Sequence, residues 1–170
     1  MAVVNKFGTV NNFSSNDNLG ARKISDNANN GAVLHYVRDT IETLENDTAA
    51  SVYRFARIPS YAVLKEVIYE NDALTGGSSY SLGFYDVPEA NNGAVISAAA
   101  LASAVSLVSA STGLGSNGMA AVDIANKHKK VFELAGLTTD PKKLVDVAFT
   151  ANTPATVAGT ITVTVIYSLV

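Results

Sequence analysis

The chain has two histidines, His35 and His128, and no cysteine. His35 sits inside the apolar run "AVLHYVRD" and His128 inside a lysine-rich segment, with no aspartate or cysteine at ligand spacing. Each therefore reads as a core-edge or surface histidine rather than a metal ligand or general base. The carboxylates Asp17, Asp26, Asp39, Glu42, Glu45 and Asp47 are scattered, and their spacing forms neither an acid–base dyad nor a calcium loop. The serines of "GGSSYS" (76–81) lack the strand–elbow–helix context of a nucleophile. Gly113, Gly115 and Gly118 satisfy G-x-G-x-x-G, with Glu133 downstream where a ribose-binding acid would stand. A dinucleotide site also needs a strand entering and a long helix leaving within repeated βαβ units, whereas Pro141 and strand-like runs follow. The glycines read as an Asn-Gly loop, and neither catalysis, a cofactor nor a metal is expected.

The remaining reactive-looking group is basic: Lys127, Lys129, Lys130, Lys142 and Lys143. It reads first as a solvated face and second as a contact for an acidic partner surface, whose binding would weaken as salt screens it. The net charge of −3 argues against a nucleic-acid partner, whose affinity comes from neutralising phosphates. Charged residues make up 16% of the chain, below the typical share of about 25%. The polar surface must then be built from Ser, Thr, Asn and Gly, which desolvate cheaply and suit broad contact with a large partner.

Residues 94–111, "AVISAAALASAVSLVSAS", form the one apolar run long enough to suggest a membrane span. Alanine and serine dominate it, and no basic cluster or aromatic belt flanks it, so a short helix or a buried connection between sheets is expected, and no membrane partner. The N-terminus lacks a charged n-region followed by an apolar h-region, which points to synthesis in the cytoplasm. The sequons at Asn12 and Asn46 then read as chance matches.

Two regions position these residues. Residues 1–31 are rich in Asn, Ser and Gly with spaced apolar residues (Val3, Val4, Phe7, Val10, Phe13), which predicts an extended arm that straps its own domain or reaches a neighbour. Residues 32–170 form the single domain. Strands are predicted at "AVLHYVRD", at Ser51–Ile58 with Tyr53 and Phe55 on one face, at Ala62–Glu70 and at "YSLGFYD". Asn126–Ala135 predicts a short helix with Asn126 as its cap and Gly136 as its left-handed stop. Leu144–Asn152 and Thr160–Val170 alternate most cleanly, so one face of each is expected in the core and the other in water. Tyr80, Leu82, Phe84, Val145, Val147, Phe149, Ile161, Val163 and Val165 are the predicted inward set. The fold class is mainly β: an antiparallel β-sandwich with one short helix and the N-terminal arm.

Read in order, "VVNKFGTV", "SVYRFARIPSYA", "IYENDALTGGSSYSLGFYD", "VDIANKHKKVFELAGLTTDP" and "LVDVAFTANTPATVAGTITVTVIY" resemble tailed-bacteriophage capsid decoration, or cement, proteins over nearly the whole chain. The resemblance implies a jelly-roll-like sandwich on the outer face of the virion, partnered by the major capsid protein and by itself as a dimer or trimer. It implies a stabilising structural role, with the five lysines, Phe7 and Phe13 as candidate capsid contacts. A receptor- or glycan-binding virion domain, on a head fibre or the tail, is the alternative. Two positions depart from the family pattern: Tyr61 replaces a small polar residue, and Phe132 an aromatic that is often Trp.

Overall fold

The computed structural model describes residues 33–45 and 47–169. The arm with Phe7 and Phe13, the carboxylates Asp17 and Asp26, and both sequon asparagines lie outside the described residues. Eight strands follow in order: β1 (Leu34–Thr43), β2 (Val52–Pro59), β3 (Val63–Asn71), β4 (Ser79–Asp86), β5 (Val95–Ser106), β6 (Ser111–Asn117), β7 (Leu144–Thr153) and β8 (Gly159–Ser168). They pair as two four-stranded antiparallel sheets, β1-β8-β3-β6 and β2-β7-β4-β5. The two sheets stack face to face, as in a jelly roll.

All nine predicted inward side chains are at most 2% exposed, each contributing about 1.5–3 kcal/mol of burial. Phe149 on β7 is the hub. Its ring meets Phe55, Tyr69 and Tyr80 edge-on at 6.1, 5.5 and 6.1 Å, and since Tyr69 lies on β3 these contacts join the two sheets.

Several expectations are corrected. The alanine-rich run is a strand, β5, neither a helix nor a buried connection. Its backbone lies so close to β4 that a Cβ on Gly83 would stand 2.0 Å from the Ser97 carbonyl oxygen. Only a glycine there leaves room for it. The glycines Gly113 and Gly115 belong to strand β6, with φ of +82° and +69°, rather than to a loop. The predicted ten-residue helix shrinks to one turn, α1 (Val131–Leu134), because Val131 and Phe132 donate their N–H groups to the Ala62 and Ser60 carbonyls and so tie the segment to the β2–β3 turn. Glu133, not Asn126, closes its start by accepting from the Lys130 N–H at 2.8 Å. Gly136 does end it, at φ +84°. His128 is exposed in the preceding turn, while His35 is half-buried on β1 and stacks on Tyr167 at 5.0 Å. On β7 the face opposite the core is not wet: Asp146 is 3% exposed and Ala148 fully buried.

Candidate functional site

The outer face of the β2-β7-β4-β5 sheet carries a charge network that the sequence reading missed. Asp146 accepts from Arg54 Nη1 at 3.0 Å and from Arg57 Nε at 2.9 Å. A period of two would place residues 54 and 57 on opposite faces. The register of β2 against β7 shifts between Arg54 and Ala56, and this bulge turns both guanidinium groups outward. Arg54 also donates to the Asp86 carbonyl at 2.8 Å and the Gly93 carbonyl at 2.7 Å, and its guanidinium lies 5.3 Å over the Tyr85 ring. It thereby fastens the β4–β5 loop, where Asn91, Asn92 and Gly93 all have positive φ, to the sheet edge. Asp86 is buried against Lys143 and accepts from Asn91 Nδ2 at 3.0 Å. Burial pushes its pKa up, but the Lys143 and Asn91 hydrogen bonds outweigh that and hold it below the ordinary carboxylate range.

The structure divides the five lysines. Lys143 is committed internally to Asp86. Lys142 is exposed at φ +51° beside Asp140, whose carboxylate accepts from the Lys142 N–H at 2.9 Å and from Ser60 Oγ at 2.5 Å. These hydrogen bonds, the Ser60 one foremost, hold the Asp140 pKa below its usual range. Lys129 lines a depression with Asp123 and Glu133, and Lys127 lines a different groove with Lys65 and Glu66. Lys130 is half-buried against β3. Tyr61 is exposed at the β2–β3 turn and Phe132 half-buried on α1.

The outer face of the β1-β8-β3-β6 sheet is different. Leu34 and Tyr36 on β1 are about three-fifths exposed, and the Thr40 and Thr162 hydroxyls meet at 2.9 Å. Arg38 and Glu70 join across β8, where Arg38 stands opposite Thr164, which is 7% exposed, and Glu70 opposite Thr162. At the edge of this sheet Leu114 is 96% exposed, beside an open groove of about 390 Å³ that it lines with Lys65, Glu66, Ile68, Asn117 and Lys127. These groups offer polar and apolar contact.

Among the described residues no three His, Cys, Asp or Glu side chains gather as a metal site, and no helix is long and apolar enough to cross a membrane. No protein-family model matches the sequence, and no curated protein matches it. Among solved structures, a chain of the cyanophage Pam1 capsid asymmetric unit superposes with a TM-score of 0.55 at 17% identity, over 92% of this chain and 99% of that one. The fold is shared with phage capsid chains. A chain from the capsid of Ralstonia phage GP4 superposes with a TM-score of 0.54 at 16% identity, over 81% of this chain and 85% of that one. The correspondence is one of architecture.

Proposed function

We propose that this chain is a structural virion protein that binds the outside of a phage capsid and stabilises the shell, acting by binding and not by turnover. The observation that carries this reading is the end-to-end likeness to a chain within a capsid asymmetric unit, which the superposition spans almost completely. Two features of the molecule support it. The polar lock on one sheet fixes the loops at one end of the sandwich, and the other sheet presents a threonine-bearing face that loses little hydration on contact.

A protein that binds the assembled shell more tightly than its dissociated subunits stabilises the shell by mass action. Repetition of the same contact over the lattice multiplies a modest affinity. The partners in this reading are the major capsid protein and further copies of the chain, without nucleic acid or membrane, and the site of action is the virion surface. Lys127, Lys129, Lys130 and Lys142 are the candidate basic contacts, and Phe7 and Phe13 the candidate anchors of the arm. Lys143 is left out because Asp86 already neutralises it.

The test is to add purified protein to capsids lacking it and measure bound copies and the temperature of genome release. Saturable binding with a raised release temperature is expected. Absence of binding overturns the reading, and binding without any gain in shell stability transfers it to receptor or glycan recognition.

A further inference from the structure

The four sheet edges are not alike. On β2 the register is broken at Phe55, and the strand ends in Pro59. On β5 the register against β4 shifts three times, and Ala104 has a positive φ. On β6 two positive-φ glycines interrupt the strand, and its register against β3 shifts. Bulges, prolines, irregular backbone and charged side chains are devices by which an edge is kept from pairing with another chain. β1 has none of the backbone devices, and its charges, Arg38, Asp39 and Glu42, are of both signs. It pairs with β8 through ten consecutive residues without a shift, and among the described residues nothing pairs with its other side. Backbone alternation turns the N–H and C=O groups of Tyr36, Arg38, Thr40 and Glu42 towards that open side. Among the described residues the Thr40 N–H is accordingly held by the neighbouring Asp39 carboxylate, at 2.8 Å.

We propose that β1 is where two copies of this chain pair, antiparallel and with the two-fold axis on Val37, forming one continuous eight-stranded sheet. The register follows from the side chains. A two-fold axis normal to the sheet keeps each face on its own side, so it must pass through a residue position rather than between two. Centred on Val37, it sets Tyr36 opposite Arg38 of the second copy on the outer face. On the inner face it sets His35 opposite Asp39, with Val37 against itself. Centred on Arg38 or Asp39 it would set like charges directly opposite, which destabilises a sheet, and centred on Thr40 it would pair Arg38 with Glu42 but set Asp39 against the apolar Ile41 on the inner face. Pairing hands the Thr40 N–H to a carbonyl of the second copy and frees Asp39 for His35, whose ring is already stacked on Tyr167. This specifies the self-association contained in the proposed function. It is read on the free protein, so its outcome is separable from shell binding.

The chain has no cysteine, so a single engineered thiol reports the register. Val37 would occupy a non-hydrogen-bonded pair with Cα atoms about 4.5 Å apart, within disulfide range. Val37→Cys should give a covalent dimer under mild oxidation, faster than Asp39→Cys or Ile41→Cys. In sedimentation, Thr40→Pro removes the outward N–H together with the hydroxyl that meets Thr162, so Thr40→Val serves as the control that loses the hydroxyl alone. The proline should weaken the dimer by on the order of tenfold or more relative to the valine, leaving the β-sheet spectrum unchanged. A parent chain that stays a 17.7 kDa monomer at high micromolar concentration overturns the proposal. So does preferential cross-linking at 39 or 41, or a monomeric parent whose Thr40 amide is strongly protected from hydrogen exchange, because the chain's own remaining residues then cover the edge.

Discussion

Ion pairs of one chemical kind lie on the outer faces of both sheets, in opposite surroundings. On the β2-β7-β4-β5 sheet the Asp146 side chain is 4% exposed and two arginines converge on it. On the β1-β8-β3-β6 sheet Arg38 and Glu70 meet with side chains 49% and 21% exposed. The first group is built into the fold and fixes loops. The second lies on a surface still open to contact. The charge pattern alone does not rank these faces; burial does, because removing one partner from a desolvated pair leaves a charge with no water to replace it.

The covered face should break most severely at Gly83. Adding a methyl group there drives a Cβ to 2.0 Å from the Ser97 carbonyl oxygen and 2.4 Å from the Ala98 carbonyl carbon, both backbone atoms that cannot rotate away. Gly83→Ala should therefore displace β5 and cost about 4 kcal/mol or more in urea unfolding. A loss below about 1 kcal/mol, within the range of an ordinary substitution, would mean that β5 does not lie where the sheet register puts it.

Asp146→Ala comes next, at about 3 kcal/mol, because it removes the buried carboxylate that Arg54 and Arg57 share, leaving Arg54 with only the Asp86 and Gly93 carbonyls and Arg57 with Glu89. Replacing Arg54 by Met should cost less in the Asp146→Ala chain than in the parent, since part of what Arg54 contributes runs through Asp146 and the rest through the Asp86 and Gly93 carbonyls. Additive losses in the double variant would count against a coupled lock.

This network also shows where the sequence stops being readable. The core was legible because β4, β7 and β8 keep strict alternation through Tyr80–Phe84, Val145–Phe149 and Ile161–Val165, and every apolar side chain of that period is buried. The lock was not, because a single bulge at Phe55 reverses the phase of everything after it on β2. A similar shift between Leu64 and Glu66 turns Val67 and Tyr69 inward on β3, which a simple period would not foresee. The one available signal was Asp146 itself, an acid within an apolar strand. β5 was misread because alanine favours helix locally, and only the missing Cβ of Gly83 on the neighbouring strand explains why a strand fits there. The five lysines looked like one patch in sequence, and β7 and the β2–β3 turn pull them apart.

Asp86→Asn should cost less than the loss of Asp146, about 1.5 kcal/mol, as it keeps one of the two acceptor oxygens and turns the other into an NH2 donor, so that Lys143 or Asn91 loses its charge-assisted bond. It also has a pH signature. The folded pKa of Asp86 lies below its unfolded value, so as pH falls the unfolded state takes up the proton first. The stabilisation is complete above the unfolded value of about 4 and is lost as pH falls through the lower folded value. Unfolding midpoints between neutral and acid pH should fall less steeply in Asp86→Asn than in the parent, and parallel curves would remove Asp86 from the lock.

The smallest effect is expected on the open face, and it is the one that tests the comparison most sharply. Arg38 and Glu70 are in direct contact, yet the arginine is half in water, and screening leaves exposed pairs about 0.2–1 kcal/mol in double-mutant cycles. The Arg38→Ala, Glu70→Ala cycle should yield a coupling energy in that range at low salt, falling towards zero as ionic strength shortens the screening length. The equivalent Arg54 and Asp146 cycle should be several times larger and nearly insensitive to salt, because its carboxylate is out of solvent. If the two cycles gave equal energies with equal salt dependence, burial would not be what separates the faces. Binding assays would complete the contrast: Glu70→Ala alters a surface proposed to stay free for contact and should change association more than folding, whereas Asp146→Ala should affect association only as far as it unfolds the chain.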